Sequence, residues 1–398
     1  MRIGIPSTFP PYRGGIAQFN QALLRALEDA GHEVIAINWS RQYPRLFFPG
    51  ESQLEAGSDL SAGPPALLDS IHPGSWRRVA QQLVASRIDV LVLPFWHAAL
   101  SPAMTYLARR VKRDLEAIGH RVQVVGLMHN ACSHDASGWD TWLVSRLLER
   151  LDRAWTLSAQ VAMELELMQA GLAVDALFHP LYDHFPDLIP QAEARKLLHL
   201  PAPGEGHVVL YFGLIRPYKG LDVLIEAMSI LRKEQGAGEG LLPVHLVIAG
   251  ECYGDWEPYQ SAIDASVAAD EIQVHARFIP DHEVALFFGA ADCVALPYRK
   301  ASQSGVTAIA LHYGIPVVAT DVGGLSEYVQ PGETGALVPR SGDLHRDAMG
   351  FAHGIQSALS RDLRENHEAF ARARAQFSWS TFAHSALLTL SDEQPSQG

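Results

Sequence analysis

The feature that most narrows what this chain can fold into is an alternation. Short runs of β-branched and other apolar residues alternate with longer stretches of helical spacing almost throughout its 398 residues. That pattern builds βα units and therefore parallel sheets. It occurs as two successive series. The first predicts strands over residues 2–5, 33–37, 88–93, 121–127, 154–157 and 174–178. The second predicts them over residues 207–212, 244–249, 272–278, 293–296, 316–319 and 335–338. The clearest helix is expected over residues 16–30, where Phe19, Leu23, Leu24 and Leu27 recur at spacings of three and four and Gly31 supplies a stop. Residues 43–73, rich in Gly, Pro and Ser, have no sustained period and read as either a functional loop or a peripheral insertion. A second break at HPLYDHFPDLIP, residues 179–190, marks the expected boundary between two doubly wound domains, residues 1–185 and 186–375. Residues 344–390 are mostly helical in pattern, and the closing DEQPSQG reads as a frayed tail.

Composition removes several classes of function. Apolar residues make up 48% of the chain, enough for sizeable cores. Forty-four acidic against 31 basic side chains give a formal net charge of −13, which opposes sequence-blind attraction to phosphate backbones and argues against a nucleic-acid partner. Cys132, Cys252 and Cys293 are far apart, form no C-x-x-C and are too few for a disulfide framework, as expected in a reducing cytoplasm. No apolar stretch approaches the roughly 18 residues of a membrane span. The opening MRIGIPSTFPP has no signal-peptide pattern, so a soluble cytoplasmic protein is expected.

Chemistry concentrates at strand ends. In HVVLYFGLIRPYKG, an apolar strand leads through Gly213 to Arg216 and Lys219. Two permanent cations there suit a diphosphate, with Arg as a fork and Lys as a point charge, or are solvated loop cations. In YRKASQSGVTAIALHYG, a Ser/Gly loop opens a helix whose first amides, around Ser302, Gln303, Ser304, Gly305, Val306 and Thr307, form an anion cradle or a simple turn. Gly14 and Gly15 either admit a ligand to the backbone or make a tight turn. G-x-G-x-x-G is absent after the first strand, and GAGEG at residues 236–240 follows a helix, so hydride chemistry is disfavoured. His129, at the end of VQVVGLM, is either a hydrogen-bonding partner for a polar substrate or a satisfied core histidine. Neither His129 nor the nearby His134 and Asp135 has metal-ligand spacing, and no metal is expected. Glu283 and Glu327 could each meet ribose hydroxyls or favour a helix amino terminus. The helix pattern TYLARRVKRDLEAIGHR carries Arg109, Arg110, Lys112 and Arg113 on a face suited to anionic lipid or to water.

Taken in order, FGLIRPYKGLDVLIEAM, LVIAGE, FIPDHEVALFFGAADCVALPY and GIPVVATDVGGLSEYVQPGETGALVP resemble the nucleotide-sugar-binding domain of GT-B glycosyltransferases, in particular glycosyltransferase family 4. IPSTFPPYRGGIAQFNQALLRALEDAGHEV resembles the opening strand, glycine loop and helix of the same family. The resemblance implies an α/β GT-B fold: two Rossmann-like parallel-sheet domains facing a cleft, an acceptor-side domain over residues 1–185, a donor domain over 186–375, and a segment at 376–398 whose helix packs back on the first domain. By position it implies Arg216, Lys219 and the amides around Gly305 and Val306 on the donor diphosphate, Arg277, Phe278 and Ile279 along the nucleobase, and His129 and Gly15 near the transferred sugar. Two family glutamates fall at Ala301 and Ile309, and the usual arginine position falls at Leu214 rather than Arg216.

The resemblance further implies retaining, metal-independent sugar transfer from a UDP or GDP sugar as donor substrate, with no cofactor, to a sugar, glycan or lipid-linked acceptor in glycan, polysaccharide or glycolipid assembly. Peripheral contact with the inner membrane face fits lipid-linked acceptors. Rival readings are a nucleotide-sugar epimerase or hydrolase on the same scaffold, and a degenerate binding subunit motivated by Ala301 and Ile309.

Overall fold

A computed structural model describes residues 1–42, 54, 58–131, 138–182, 185–236, 242–301, 304–361 and 363–391. The chain forms two compact units, Met1–Phe178 together with Ser378–Gly398, and His179–Phe377.

The first unit is built on β1 (Arg2–Pro6), β2 (Glu33–Arg41), β3 (Ala66–Asp69), β4 (Val90–Phe95), β5 (Gln123–Met128), β6 (Arg153–Thr156) and β7 (Ala173–Ala176). They pair in parallel in the order β3-β2-β1-β4-β5-β6-β7. A strand buried on both faces needs apolar side chains at every position, and the six residues of β4, VLVLPF, are all buried. Alternate residues serve opposite faces: Leu91, Leu93 and Phe95 pack with Val79, Leu83, Leu107 and Val111, whereas Val90 and Val92 pack with Phe19, Leu23 and Leu27. The helix Gly15–Asp29 presents those last three residues, and Gly31, at φ +84°, ends it in a conformation other residues resist. Strand β3 lies inside the stretch that shows no sequence period. It is a four-residue edge strand behind two prolines, its pairing with β2 shifts register twice, and only Leu68 is fully buried.

The helix Trp379–Ser391 completes the second face of this sheet. Ser378 starts it, its hydroxyl accepting the Thr381 N–H at 3.1 Å. Phe382, Ala383 and Ala386 are buried, Trp379 sits 4.9 Å from the Phe19 ring, and the Trp155 indole N–H donates to the Thr389 hydroxyl at 2.9 Å. Burial of the Phe382 ring alone contributes on the order of 1.5–3 kcal/mol.

The second unit repeats the plan with β8 (His207–Phe212), β9 (Val244–Ala249), β10 (Ile272–His275), β11 (Cys293–Leu296), β12 (Val317–Thr320) and β13 (Gly335–Val338), all parallel, in the order β10-β9-β8-β11-β12-β13. Val208, Leu210 and Phe212 of β8 enter one core, and Val209 and Tyr211 the other. At the amino ends of β8 and β11 a buried ionic knot holds the sheet to the helix Gln191–Leu197. The Arg195 side chain, 1% exposed, donates to Asp292 Oδ2 at 2.6 Å and to the carbonyls of Ala290 and Gly206 at 3.0 and 2.9 Å. Asp292 also accepts the Val208 N–H at 2.7 Å and the Gln191 amide at 2.8 Å.

Several expected boundaries move, β2 running on to Arg41 and β4 lying two residues later than the sequence suggests among them, and three shifts have a visible cause. The second unit begins at His179, not at residue 186, because the His179 N–H bonds the Tyr328 hydroxyl and the Leu181 N–H bonds the Phe377 carbonyl at 2.9 Å. For the same reason it ends at Phe377 rather than 375. Strand β10 stops at His275, short of Phe278, because the Arg277 N–H turns back onto the His275 carbonyl at 2.8 Å.

Candidate functional site

In an open α/β sheet, ligands bind outside the carboxyl ends of the strands where the order reverses. In the second unit that point lies between β8 and β11. Beyond β8 the chain passes through Gly213 at φ +95°, turns through the 3-10 segment Pro217–Lys219, and leaves through Gly220 at φ +68°. Gly220 has no substitute here, since a Cβ would lie 1.9 Å from the Pro297 carbonyl oxygen beyond β11. This close approach brings Lys219 against the β11 loop, with Nζ 5.1 Å from the Tyr298 ring centroid. A Cβ at Gly213 would sit 3.5 Å from Lys219 Nζ and 3.4 Å from Val306 Cγ2. Gly213, Lys219 and the first turn of the helix Gly305–Tyr313 therefore converge on one spot.

That helix turn is electropositive by construction. Its cap residue Ser304 makes no side-chain bond to it, and the first turn holds no acidic residue, so its leading amides are available to an anion. Tyr182 packs on its first residue: a Cβ at Gly305 would lie 3.0 Å from the Tyr182 ring. Val306 and Thr307 are buried. Among the described residues, the Thr307 and Tyr298 hydroxyls are buried without a hydrogen-bonding partner, a costly condition that a polar ligand would relieve. Gln303 and Ser302 lie outside the described residues. Ala301 and Ile309, where the resemblance implies carboxylates, belong to the apolar core and are 8% and 6% exposed.

Around this spot the remaining sequence candidates are spread along the same sheet edge. Arg277 and Phe278 follow β10, half exposed, and Ile279 is buried. The Arg277 guanidinium is ion-paired with Glu283 in the first turn of the helix Asp281–Ala290. That hydrogen bond raises Arg277 above its ordinary pKa and holds Glu283 below its own. Glu283 is thereby engaged by a neighbouring side chain. Glu327 is exposed just after the 3-10 turn Gly323–Leu325, whose Gly324 N–H reaches the Ala301 carbonyl at 3.3 Å.

In the first unit the order reverses between β1 and β4. Gly14, at φ +104° with open space where a Cβ would stand, caps the helix that Gly15 begins, and neither a side-chain cap nor an acid occupies its first turn. His129 follows β5, donates its backbone N–H to the Phe95 carbonyl at 2.9 Å, and is buried with its ring edge-on to Phe19 at 4.8 Å. Gly14, Gly15 and His129 thus occupy one edge of one sheet. His134 and Asp135 lie outside the described residues. On the helix Ser101–Glu116 three of the four cations are internally matched: Arg110 and Arg113 with Asp114, and Lys112 with Asp152. Among the described residues no three His, Cys, Asp or Glu side chains gather as a metal site, and no helix is long and apolar enough to cross a membrane.

Two aromatic neighbours of the cations escape a reading of the sequence. Arg216 Cζ lies 5.1 Å from the Tyr253 ring centroid, matching the seat of Lys219 on Tyr298. Tyr253 follows β9, more than thirty residues from Arg216, so only the sheet order reveals the pair.

Two Rossmann-like parallel-sheet units, one with Lys219 brought to a helix amino terminus beyond the switch point, define a protein of GT-B class. Residues 13–170 match the family described as Glycosyltransferase Family 4 and residues 206–361 that described as Glycosyl transferases group 1. The chain belongs to this glycosyltransferase family. It is 29% identical over 327 residues, 80% of its length and 70% of the relative's, to a D-inositol 3-phosphate glycosyltransferase of Jonesia denitrificans. It is 26% identical to the GDP-mannose:glycolipid 4-beta-D-mannosyltransferase of Xanthomonas campestris pv. campestris, over 64% of this chain and 67% of that one. It spans only 51% and 31% of two further D-inositol 3-phosphate glycosyltransferases. Among solved structures, Anabaena HepE in complex with UDP superposes with a TM-score of 0.72 at 16% identity, over 98% of this chain and 100% of that one, a likeness of fold.

Proposed function

We propose that the chain transfers a sugar, with retention of anomeric configuration and without a bound metal, from a nucleoside diphosphate sugar of UDP or GDP type to an acceptor hydroxyl in glycan, polysaccharide or glycolipid assembly, on the cytoplasmic side. The observation that carries this reading is the convergence of Lys219 Nζ, Gly213 and the uncapped helix turn at Gly305. Departure of a nucleoside diphosphate leaves negative charge on its phosphates while the anomeric carbon becomes cationic. Donors fixed where that charge develops lower the barrier. Lys219, Arg216 and the amides of Gly305 and Val306 are such donors, and the buried Thr307 hydroxyl adds another. Each answers charge without an ion. The acceptor hydroxyl attacks from the side of the leaving group, and a diphosphate oxygen takes its proton, so no protein nucleophile takes part. Arg277, Phe278 and Ile279 flank the base, Glu327 accepts from the ribose, and His129, Gly14 and Gly15 serve the transferred sugar. The relatives named for inositol 3-phosphate and for a glycolipid support a polyol or lipid-linked acceptor. The pairing of three of the four cations on the helix Ser101–Glu116 with the two carboxylates Asp114 and Asp152 weighs against that helix as a lipid-binding face.

A thermal-shift panel of UDP, GDP and ADP sugars tests the donor, because a ligand that binds the native state raises its melting temperature. A UDP or GDP sugar raises it in the intact protein, and Lys219→Ala removes the shift and depresses turnover while the unliganded melting temperature holds. Shifts unchanged by Lys219→Ala refute the assignment. Ala301 and Ile309 favour one second reading, a catalytically silent binding subunit. Binding of a UDP or GDP sugar with no transfer to any polyol, glycan or lipid acceptor selects it.

A further inference from the structure

We infer that Tyr253 is a positioning residue that seats the Arg216 guanidinium for the donor diphosphate, as Tyr298 seats Lys219; this rests on the anion site proposed above. Several arginines elsewhere in the second unit are held by carboxylates: Arg277 by Glu283, Arg299 by Asp222, Arg372 by Glu333. A carboxylate orients a guanidinium but neutralises it. Among the described residues, no carboxylate lies within ion-pairing distance of Arg216 or Lys219, and each cation stands 5.1 Å from a tyrosine ring centroid instead. A ring face holds a cation through its quadrupole and leaves the charge for a ligand.

The seat is built by backbone, not by chance contact of two exposed side chains. Beyond β8 and β9 the two loops remain zipped: the Ile215 N–H donates to the Glu251 carbonyl at 2.8 Å, and the Tyr253 N–H returns to the Ile215 carbonyl at 3.0 Å. Ile215 pairs with Cys252 as a parallel bridge and is fully buried. Gly250 permits the approach, since a Cβ there would stand 1.9 Å from the Gly213 carbonyl oxygen. Arg216 therefore leaves the zipped segment directly opposite Tyr253. An exposed arginine otherwise samples many rotamers, and ordering it on binding costs affinity. The ring removes part of that cost and holds the guanidinium at the β9 flank of the loop, while Tyr298 holds Lys219 at the β11 flank.

The test is a double-mutant cycle in the full chain, with UDP and GDP as probes in titration calorimetry. Tyr253→Leu weakens binding of the accommodated nucleotide about two- to fivefold, the scale of an exposed cation–π contact. Tyr253→Phe keeps the ring and binds like wild type. Arg216→Gln weakens binding at least as much as Tyr253→Leu, and the double variant binds no more weakly than Arg216→Gln alone. Wild-type affinity in Tyr253→Leu, or a full further loss when it is added to Arg216→Gln, overturns the inference while leaving the anion site standing. Wild-type affinity in both Arg216→Gln and Lys219→Gln, or failure of the parent protein to bind either nucleotide, overturns the anion site and the inference together.

Discussion

Replacing Gly220 with alanine isolates the contact that sets Lys219 against the β11 loop. Two costs add. At φ +68° an L-residue is strained by about 1–2 kcal/mol. The new Cβ would also lie 1.9 Å from the Pro297 oxygen and 3.0 Å from its carbonyl carbon, all backbone. A carbon–oxygen contact wants about 3.3 Å, so the two loops must part by about 1.4 Å. Overpacking of this kind costs about 1–3 kcal/mol. The sum, about 2–5 kcal/mol, lowers the melting temperature of a unit this size by about 4–20 °C. Gly204→Ala is the matched control: its φ is +86° but nothing lies within 4 Å of the new Cβ, so it bears the strain alone. Below its melting transition, Gly220→Ala also loses affinity for UDP or GDP and turns over about a hundredfold more slowly, because a displacement of order 1 Å at a reacting site has that effect. Scanning calorimetry and nucleotide titration on both variants provide the comparison. Should the two melt together and bind nucleotide alike, the close approach is not what positions Lys219.

Further outcomes follow from the ionic knot and the last helix. Burial pushes the Asp292 carboxyl up, but His207, Arg195, the Val208 amide and Gln191 outweigh it and hold the group below its ordinary range. A lowered carboxylate pKa stabilises the fold above the unfolded value near about 3.9, and the benefit disappears as pH falls through the folded value. Arg195→Met strands that carboxylate and destabilises the protein by about 3–5 kcal/mol at pH 7, with a gap from wild type that narrows below about pH 4. Urea midpoints at the two pH values measure it, and a gap independent of pH rules out the carboxylate as its origin. Ser378→Ala removes the cap of the helix Trp379–Ser391 and costs about 1 kcal/mol, seen as faster hydrogen exchange confined to that helix. Exchange unchanged from wild type would show that tertiary packing alone starts it.

What the sequence reveals depends on whether a signal is local. The bounds of β8, β9, β11 and β13 coincide with the expected ranges because each is a short apolar run ended by glycine, proline or a charge. Strand β3 is hidden because four residues with one fully buried side chain have no period to detect. The crossing at His179 is set by a hydrogen bond to Tyr328, about 150 residues away, which no local pattern encodes. At the site, Gly213, Lys219 and Val306 are legible because glycine, cation and helix start each leave a local mark. Tyr253 and Tyr298 acquire meaning only once β9 and β11 are known to flank β8.

The first unit takes its final helix from beyond the second. During synthesis its sheet leaves the ribosome with Val90, Val92 and Trp155 lacking the cover that Phe382, Ala383 and Ala386 later supply. The second unit needs nothing downstream of Phe377 and can fold first. Maturation of the amino-terminal half therefore waits on translation of residues 378–391, and a nonsense mutation at Ser378 should send the nascent chain to chaperones through its oldest portion.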